Sequence, residues 1–285
     1  MSVVARLQAF FEERLDPRPI ALARMVVALA ALVRSVESYG YIRYVLQPET
    51  ARAPVIDGLP LLSLHGLPYY WAAWALAAIA FFFGFRTRTA GAVLTAALGY
   101  HLIADQNLYF NHIHFMVLIV FLLTVAGAGA TWSVDWFLAG FPRRTVPRWA
   151  VTLGAAQVSI VYFYTALAKI SPYFLSGDVL TKVLRGLPDA IKTPELMTAA
   201  AYGVVAGEMF LAFGLWFPRT RVAALLLGVA MHASIPFAIH PYVVLLVFSA
   251  TAIGAYGFFL RGEDVDWVWR AVSSRVSSTT DSRKA

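Results

Sequence analysis

The sequence predicts an all-α, polytopic membrane bundle of about eight transmembrane helices, preceded by an amphipathic helix at the membrane interface. Three observations carry this. Hydrophobic residues make up 60% of the 285 and charged residues 14%, against about 45–50% and about 25% in a soluble domain. Mean hydropathy is +0.67. Eight apolar stretches are long enough to cross a hydrocarbon core, which takes about 20 helical residues.

The elements follow in order. "MSVVARLQAFFEERLDPRP" lacks the compact apolar region and cleavage site of a signal peptide. It reads as an interfacial helix over residues 1–18 with Leu7, Phe10, Phe11 and Leu15 on one side. The spans are expected near 19–37, 67–85, 89–106, 112–130, 149–169, 197–217, 221–239 and 241–260, forming a membrane domain over 19–262. Arg24 and Arg34 interrupt the first of these. Short connections set three antiparallel hairpins. Residues 263–285 form a polar tail, expected to be disordered beyond about residue 272.

Arginine and lysine set the orientation. With eight spans, Arg6, Arg14, Arg18, Arg86, Arg88, Arg143, Arg144, Arg148, Arg219, Arg221 and the tail cations share one side. Both termini are therefore expected in the cytoplasm, with the longer loops 38–66 and 170–196 facing outward. Net charge +7 then reports topology and contact with the lipid bilayer rather than nucleic acid. With no cysteine, disulfides and cysteine-based metal or redox sites are excluded. No phosphate-cradling loop, no G-x-S-x-G elbow and no transporter-like internal repeat is present.

Polar residues gather on the outward side. All six histidines (His65, His101, His112, His114, His232 and His240) fall there, and so does Lys169 at the end of the fifth span. The turn "GYHLIADQNLYFNHIHF" adds Asp105, Tyr109 and Asn111, with His101 and Asp105 spaced i,i+4 to share a helix face and hydrogen-bond. Glu208 lies mid-span in the sixth helix and is expected to point into the bundle. Each residue alone has an ordinary role, as a helix end, an interhelical hydrogen bond or a snorkelling cation. His112 and His114, two apart, face different ways, which argues against zinc; no metal is expected.

Three stretches, in order, carry a resemblance. "VYFYTALAKISPYFLSGDVL", "NHIHFMVLIVFLL" followed by "GATWSVDWFL", and "LLGVAMHASIPFAIHPYVVLL" resemble the signature of the horizontally transferred transmembrane (HTTM) family, bacterial relatives of the vitamin K-dependent γ-glutamyl carboxylase. Thr165-Ala166 stands where that pattern has Ala-Gly, and Ala168 precedes the lysine. The resemblance implies a bacterial cytoplasmic-membrane protein and a chemistry. A neutral lysine removes a proton from reduced vitamin K or menaquinol. With O2 the quinol becomes an epoxide and a strong base forms, which strips a proton from a peptide or protein glutamate that then captures CO2. By motif, the resemblance places the base on Lys169, an oxygen-orienting or protonating pair on Asn111 and His112, and the family's late catalytic histidine on His232. His101, Asp105, Tyr109, His114, Tyr162 and Glu208 are expected to line the quinone pocket. The large extramembrane region of the animal carboxylase is expected to be missing, since the sequence runs only about 25 residues past the last span. A membrane accessory protein for maturation of a small exported peptide is the alternative reading.

Overall fold

A computed structural model describes residues 2–56, 58–239 and 242–270. Ser2 opens α1 (Val3–Glu12) by accepting the N–H of Ala5. None of its residues is buried, as suits a helix lying on a membrane face. The helix stops short of residue 18. Leu15 is not on it but in a two-residue strand, Arg14–Leu15, paired antiparallel with Val146–Pro147. The extended pairing replaces the last turn of the expected helix.

The bundle begins with α2 (Arg18–Val45), opened by Pro19, whose missing N–H costs nothing in a first turn. It runs past the expected end at residue 37. Arg24 and Arg34 are buried within it rather than interrupting it. Next come α3 (Leu67–Phe83), α4 (Thr87–Ala104), α5 (Asn111–Ala126), the short α6 (Val134–Leu138) and α7 (Arg148–Ala168). Gly84 and Gly127 end α3 and α5 in the left-handed conformation, at φ 67° and 77°. The loop after α7 folds into α8 (Pro172–Leu175) and α9 (Asp178–Val183). It leads into α10 (Pro194–Gly214), where Thr193 caps and Pro194 and Glu195 fill the first turn. Then follow α11 (Arg221–Ala238) and α12 (Tyr242–Ala255). A sharp 112° bend after a short 3-10 turn leads into α13 (Gly262–Arg270). Residues 263–270, expected as polar tail, are thus helical; the expected disorder further on lies outside the described residues.

Every predicted apolar stretch folds as a helix, and the chain is an all-α integral membrane protein. By length and composition α2, α7, α10 and α11 are long and apolar enough to cross a membrane, and a fifth span results if the bent pair α12–α13 counts as one. Helices α3 and α5 are apolar but shorter. The core is a seam of α2, α3, α4, α5, α7 and α12. Ala28 and Ala31 let α2 approach its neighbours closely, and Trp74, Phe81, Met116 and Leu123 fill the interior. Ion pairs tie off one end: Arg18 with Asp16 and Asp266, Arg148 with Glu13, and Arg221 with Asp264. The opposite end holds the α4–α5 turn, the loop after α2 and the α8–α9 segment. There the N–H of Gln106 donates to the carbonyl of Ala53, and that of Gly186 to the carbonyl of Ala238.

Candidate functional site

Lys169 follows α7 immediately. Ser171 accepts the N–H of Phe174 to start α8, and Pro172 cannot continue α7, so the chain breaks just beyond the lysine. Its Nζ donates to both carboxylate oxygens of Glu208 at 2.8 Å and to the carbonyl of Thr165 at 3.3 Å. The Glu208 side chain is 11% exposed and that of Lys169 27%. The pair is largely withdrawn from water yet reachable at its lysine end. Pairing, not snorkelling, accounts for a cation at the end of an apolar run. Glu208 does point into the bundle, as its mid-span position required. Sequence reasoning put both residues in one pocket but did not pair them. Just beyond Lys169, Ile170, Pro172, Leu175 and Tyr202 line a cavity of about 440 Å³.

Two turns before Lys169, Tyr162 is buried. Its hydroxyl hydrogen-bonds His232 Nε2 at 2.6 Å and the Tyr256 hydroxyl at 2.5 Å. The glycine one turn before His232 makes this possible: a Cβ on Gly228 would strike the Tyr256 hydroxyl. One turn after, Pro236 has no N–H for the His232 carbonyl. A four-residue spacing of Gly, His and Pro thus shapes one face of α11. Tyr256 escaped the sequence reading; its signal was a hydroxyl between small residues inside an apolar run.

A second group sits where α2, α3, α4 and α5 meet. His101 is buried against Trp74, ring centroids 5.8 Å apart. His112 packs on Phe110, centroids 5.3 Å apart, and Arg34 lies over the same Phe110 ring, 5.3 Å from its centroid. Arg34 also pairs with Glu37 and lies close enough to act electrostatically on both histidines. Read from sequence as an interruption, it is instead part of this site.

The expected His101–Asp105 hydrogen bond does not form. The helix ends at Ala104, and Asp105 takes an extended conformation at φ −155°. Its carboxylate accepts from Arg52 Nε at 2.6 Å, from the N–H groups of Asn107 and Ala53, and from Asn107 Nδ2. Burial by itself would push this carboxyl up; the hydrogen bonds from Arg52, Asn107 and Ala53 outweigh it and hold it below the usual carboxylate range. Asp105 therefore fastens the loop after α2 over the α4–α5 turn.

Tyr109 and His114 form a third, exposed group. The Tyr109 hydroxyl meets His114 Nδ1 at 3.2 Å. Both line a cavity of about 560 Å³ with Val55, Leu102 and Ile103. Asn111, the first residue of α5, is exposed. So is His65; His240 lies outside the described residues. Lys169, His101, His112, His114 and His232 thus fall into three groups rather than one pocket, and His65 stands outside them.

Among the described residues, four buried imidazole nitrogens lack any partner: both of His101, Nε2 of His112 and Nδ1 of His232. Buried polar atoms are nearly always satisfied. Such atoms are open to a hydrogen-bonding ligand. The Lys169–Glu208 pair, two turns along from Tyr162, adds a group able to hold a proton. No solved structure matches the chain. The family model for the HTTM domain matches residues 13–252, taking in every group above except Tyr256. The chain belongs to the HTTM domain family.

Proposed function

We propose that the chain is a vitamin K-dependent γ-carboxylase-like membrane enzyme acting on a reduced quinone, with Lys169 and Glu208 as its proton-handling pair. The observation that carries this is the bidentate pair itself, standing at the broken end of α7 two turns from the buried Tyr162–His232–Tyr256 network. The HTTM domain is associated with vitamin K-dependent carboxylase-like proteins. Reduced vitamin K or menaquinol, when bound, supplies hydroxyl protons and, with O2, epoxide-forming chemistry coupled to CO2 capture by a peptide or protein substrate. The protein's own part is to hold, move and shield protons. Glu208 takes the proton of Lys169, leaving an amine lone pair as the base. His232 is oriented by Tyr162 and keeps Nδ1 free for a ligand oxygen, and His112 offers Nε2 in the same way. Apolar walls keep water from quenching a strong base. The arginine-rich end faces the cytoplasm with both termini, and this site opens in the outward half.

A second reading rests on the segment between α7 and α10. It packs Leu180 against Met197 and Ala201 of α10 in a small separate core, and exposes Ile170 and Tyr173. That surface suits a peptide held for maturation without quinone chemistry.

The test uses purified protein in lipid nanodiscs with reduced vitamin K or menaquinol, oxygen and labelled bicarbonate. Mass spectrometry follows the epoxide. Wild type should form it, and Lys169→Ala and Glu208→Gln should not. Lys169→Arg should fail as well, because guanidinium does not deprotonate. No epoxide from wild type with any quinol, even with glutamate peptides present, would refute the enzyme and favour the maturation role.

A further inference from the structure

The end of the bundle opposite Lys169 carries an open cavity of about 1050 Å³. Arg14, Arg86, Arg88 and Arg144 all line it. Among the described residues none of the four has an ion-pair partner, whereas Arg18, Arg148 and Arg221 at the same end each have a carboxylate. Convergent like charges repel unless an anion joins them. The one acid in the wall, Asp135, is engaged elsewhere. Its oxygens accept the N–H groups of Arg86 and Thr87 and the Thr87 hydroxyl, at 2.7–2.8 Å. That carboxylate opens α4 from outside the helix and leaves the arginine side chains unanswered.

Two further observations mark the place. The non-glycine residues with positive φ among those described are Arg86, Trp132 and Phe141, at 44°, 48° and 57°. All three lie in the loops framing this cavity. Such backbones are strained and persist where the surroundings over-determine them. Below the same loops Arg24 is fully buried. Its Nη2 donates to the Trp132 carbonyl at 2.6 Å, and Nε and Nη1 have no partner. Arg24 also acts on Asp135 electrostatically, so positive charge predominates behind the wall as well as on it.

The surroundings belong at headgroup depth. Val125, Leu138 and Trp149 complete the lining. Leu138, Phe137 and Phe141 are exposed, and Phe11 of α1 stands 6.5 Å from Trp149. Tryptophan and a flat apolar-faced helix mark the membrane–water boundary.

We propose that this cavity binds the phosphate of an anionic glycerophospholipid, with the acyl chains lying along Leu138, Val125 and Trp149. The test is native mass spectrometry of the full chain released from nanodiscs of phosphatidylcholine containing a minority of phosphatidylglycerol. Wild type should retain phosphatidylglycerol selectively. Arg86→Gln/Arg88→Gln should weaken retention on the order of thirtyfold, about fivefold per arginine. Arg86→Lys/Arg88→Lys, which keeps the charge, should restore most of it. Arg143→Gln/Arg219→Gln removes the same charge outside the cavity and should leave retention unchanged. Equal loss in the two glutamine variants, or none in either, would overturn the site. Binding of inorganic phosphate with no lipid retained would overturn the lipid assignment.

Discussion

Replacing Lys169 by methionine removes all three hydrogen bonds of the ammonium and leaves the Glu208 carboxylate unpaired in a nearly dry site. Neutral interhelical hydrogen bonds in membrane proteins average about 0.6 kcal/mol, whereas unpairing a fully buried charge costs about 3–5 kcal/mol. Lys169 keeps a quarter of its side chain exposed, which puts Lys169→Met near the lower end, about 3 kcal/mol. Glu208→Gln keeps one acceptor oxygen, and Lys169 keeps Thr165, so about 1–2 kcal/mol is expected. Lys169→Met/Glu208→Met removes both charges and replaces them with apolar groups of similar length, for about 1 kcal/mol in all. The cycle then yields roughly 2–4 kcal/mol of coupling, depending on the Glu208→Met single variant.

The assay is equilibrium unfolding in mixed micelles, with epoxide formation measured on the same proteins: wild type, Lys169→Met, Glu208→Met and the double variant. Stability should recover in the double variant while activity stays absent. That pattern separates a proton-handling pair from a strut between α7 and α10. Single-variant costs that simply add would refute the pair as a physical unit. Activity that returned with stability would refute its catalytic role.

Arg52→Ala strips the buried Asp105 of its cation and should lower the thermal midpoint at neutral pH. Asp105 titrates below the ordinary aspartate range when folded, so its contribution is fully present above the unfolded value and is lost as pH falls through the folded one. In Arg52→Ala that acid loss should begin at higher pH, and melts between neutral and acid pH that parallel wild type would contradict this. Gly228→Ala drives a methyl into the Tyr256 hydroxyl and should cost about 1–3 kcal/mol. Tyr256→Phe should cost about 1 kcal/mol or less, and melting curves that rank the two the other way would exclude the contact. Asp135→Ala removes three hydrogen bonds from the start of α4 and should cost about 2 kcal/mol by unfolding; a loss within measurement error would show that the cap is idle.

Hydropathy made the helices legible because a bilayer demands long apolar runs and little else. The same demand hid what happens at their ends. Asp105 looked like the fifth residue of a helical face shared with His101, but the chain leaves the helix at Ala104 to satisfy Arg52, fifty-three positions away. Arg34 looked like a flaw in a span because hydropathy counts a buried cation only as a cost. Its compensation, Glu37 and the Phe110 ring, is local in one case and distant in the other. Glu208 was legible as inward-facing, since a mid-span carboxylate has nowhere else to go. That its partner is Lys169 depends on how α10 packs against α7, which no short window contains. The Gly228–His232–Pro236 spacing was written in the sequence, yet its meaning needed Tyr256 from another helix.

The remaining question is whether one ligand touches both buried groups. Phe248 stands between them: its ring lies 5.4 Å from that of His232 and 6.2 Å from Phe115, which is one turn along α5 from His112. The two rings form a partition between the orphaned nitrogen of His232 and that of His112. A single quinol contacting both must shift it, whereas two separate binding events need not. Phe248→Trp enlarges the partition and Phe248→Leu shrinks it, each with a packing cost of about 1–2 kcal/mol because Phe248 is only part-buried. If one ligand bridges the groups, Phe248→Trp raises the KM for the quinol and His112→Ala and His232→Ala lower epoxide formation non-additively. If Phe248→Trp leaves KM unchanged while the two histidine effects multiply, the groups act on different ligands, and His112 belongs with Arg34 and His101 rather than with Lys169.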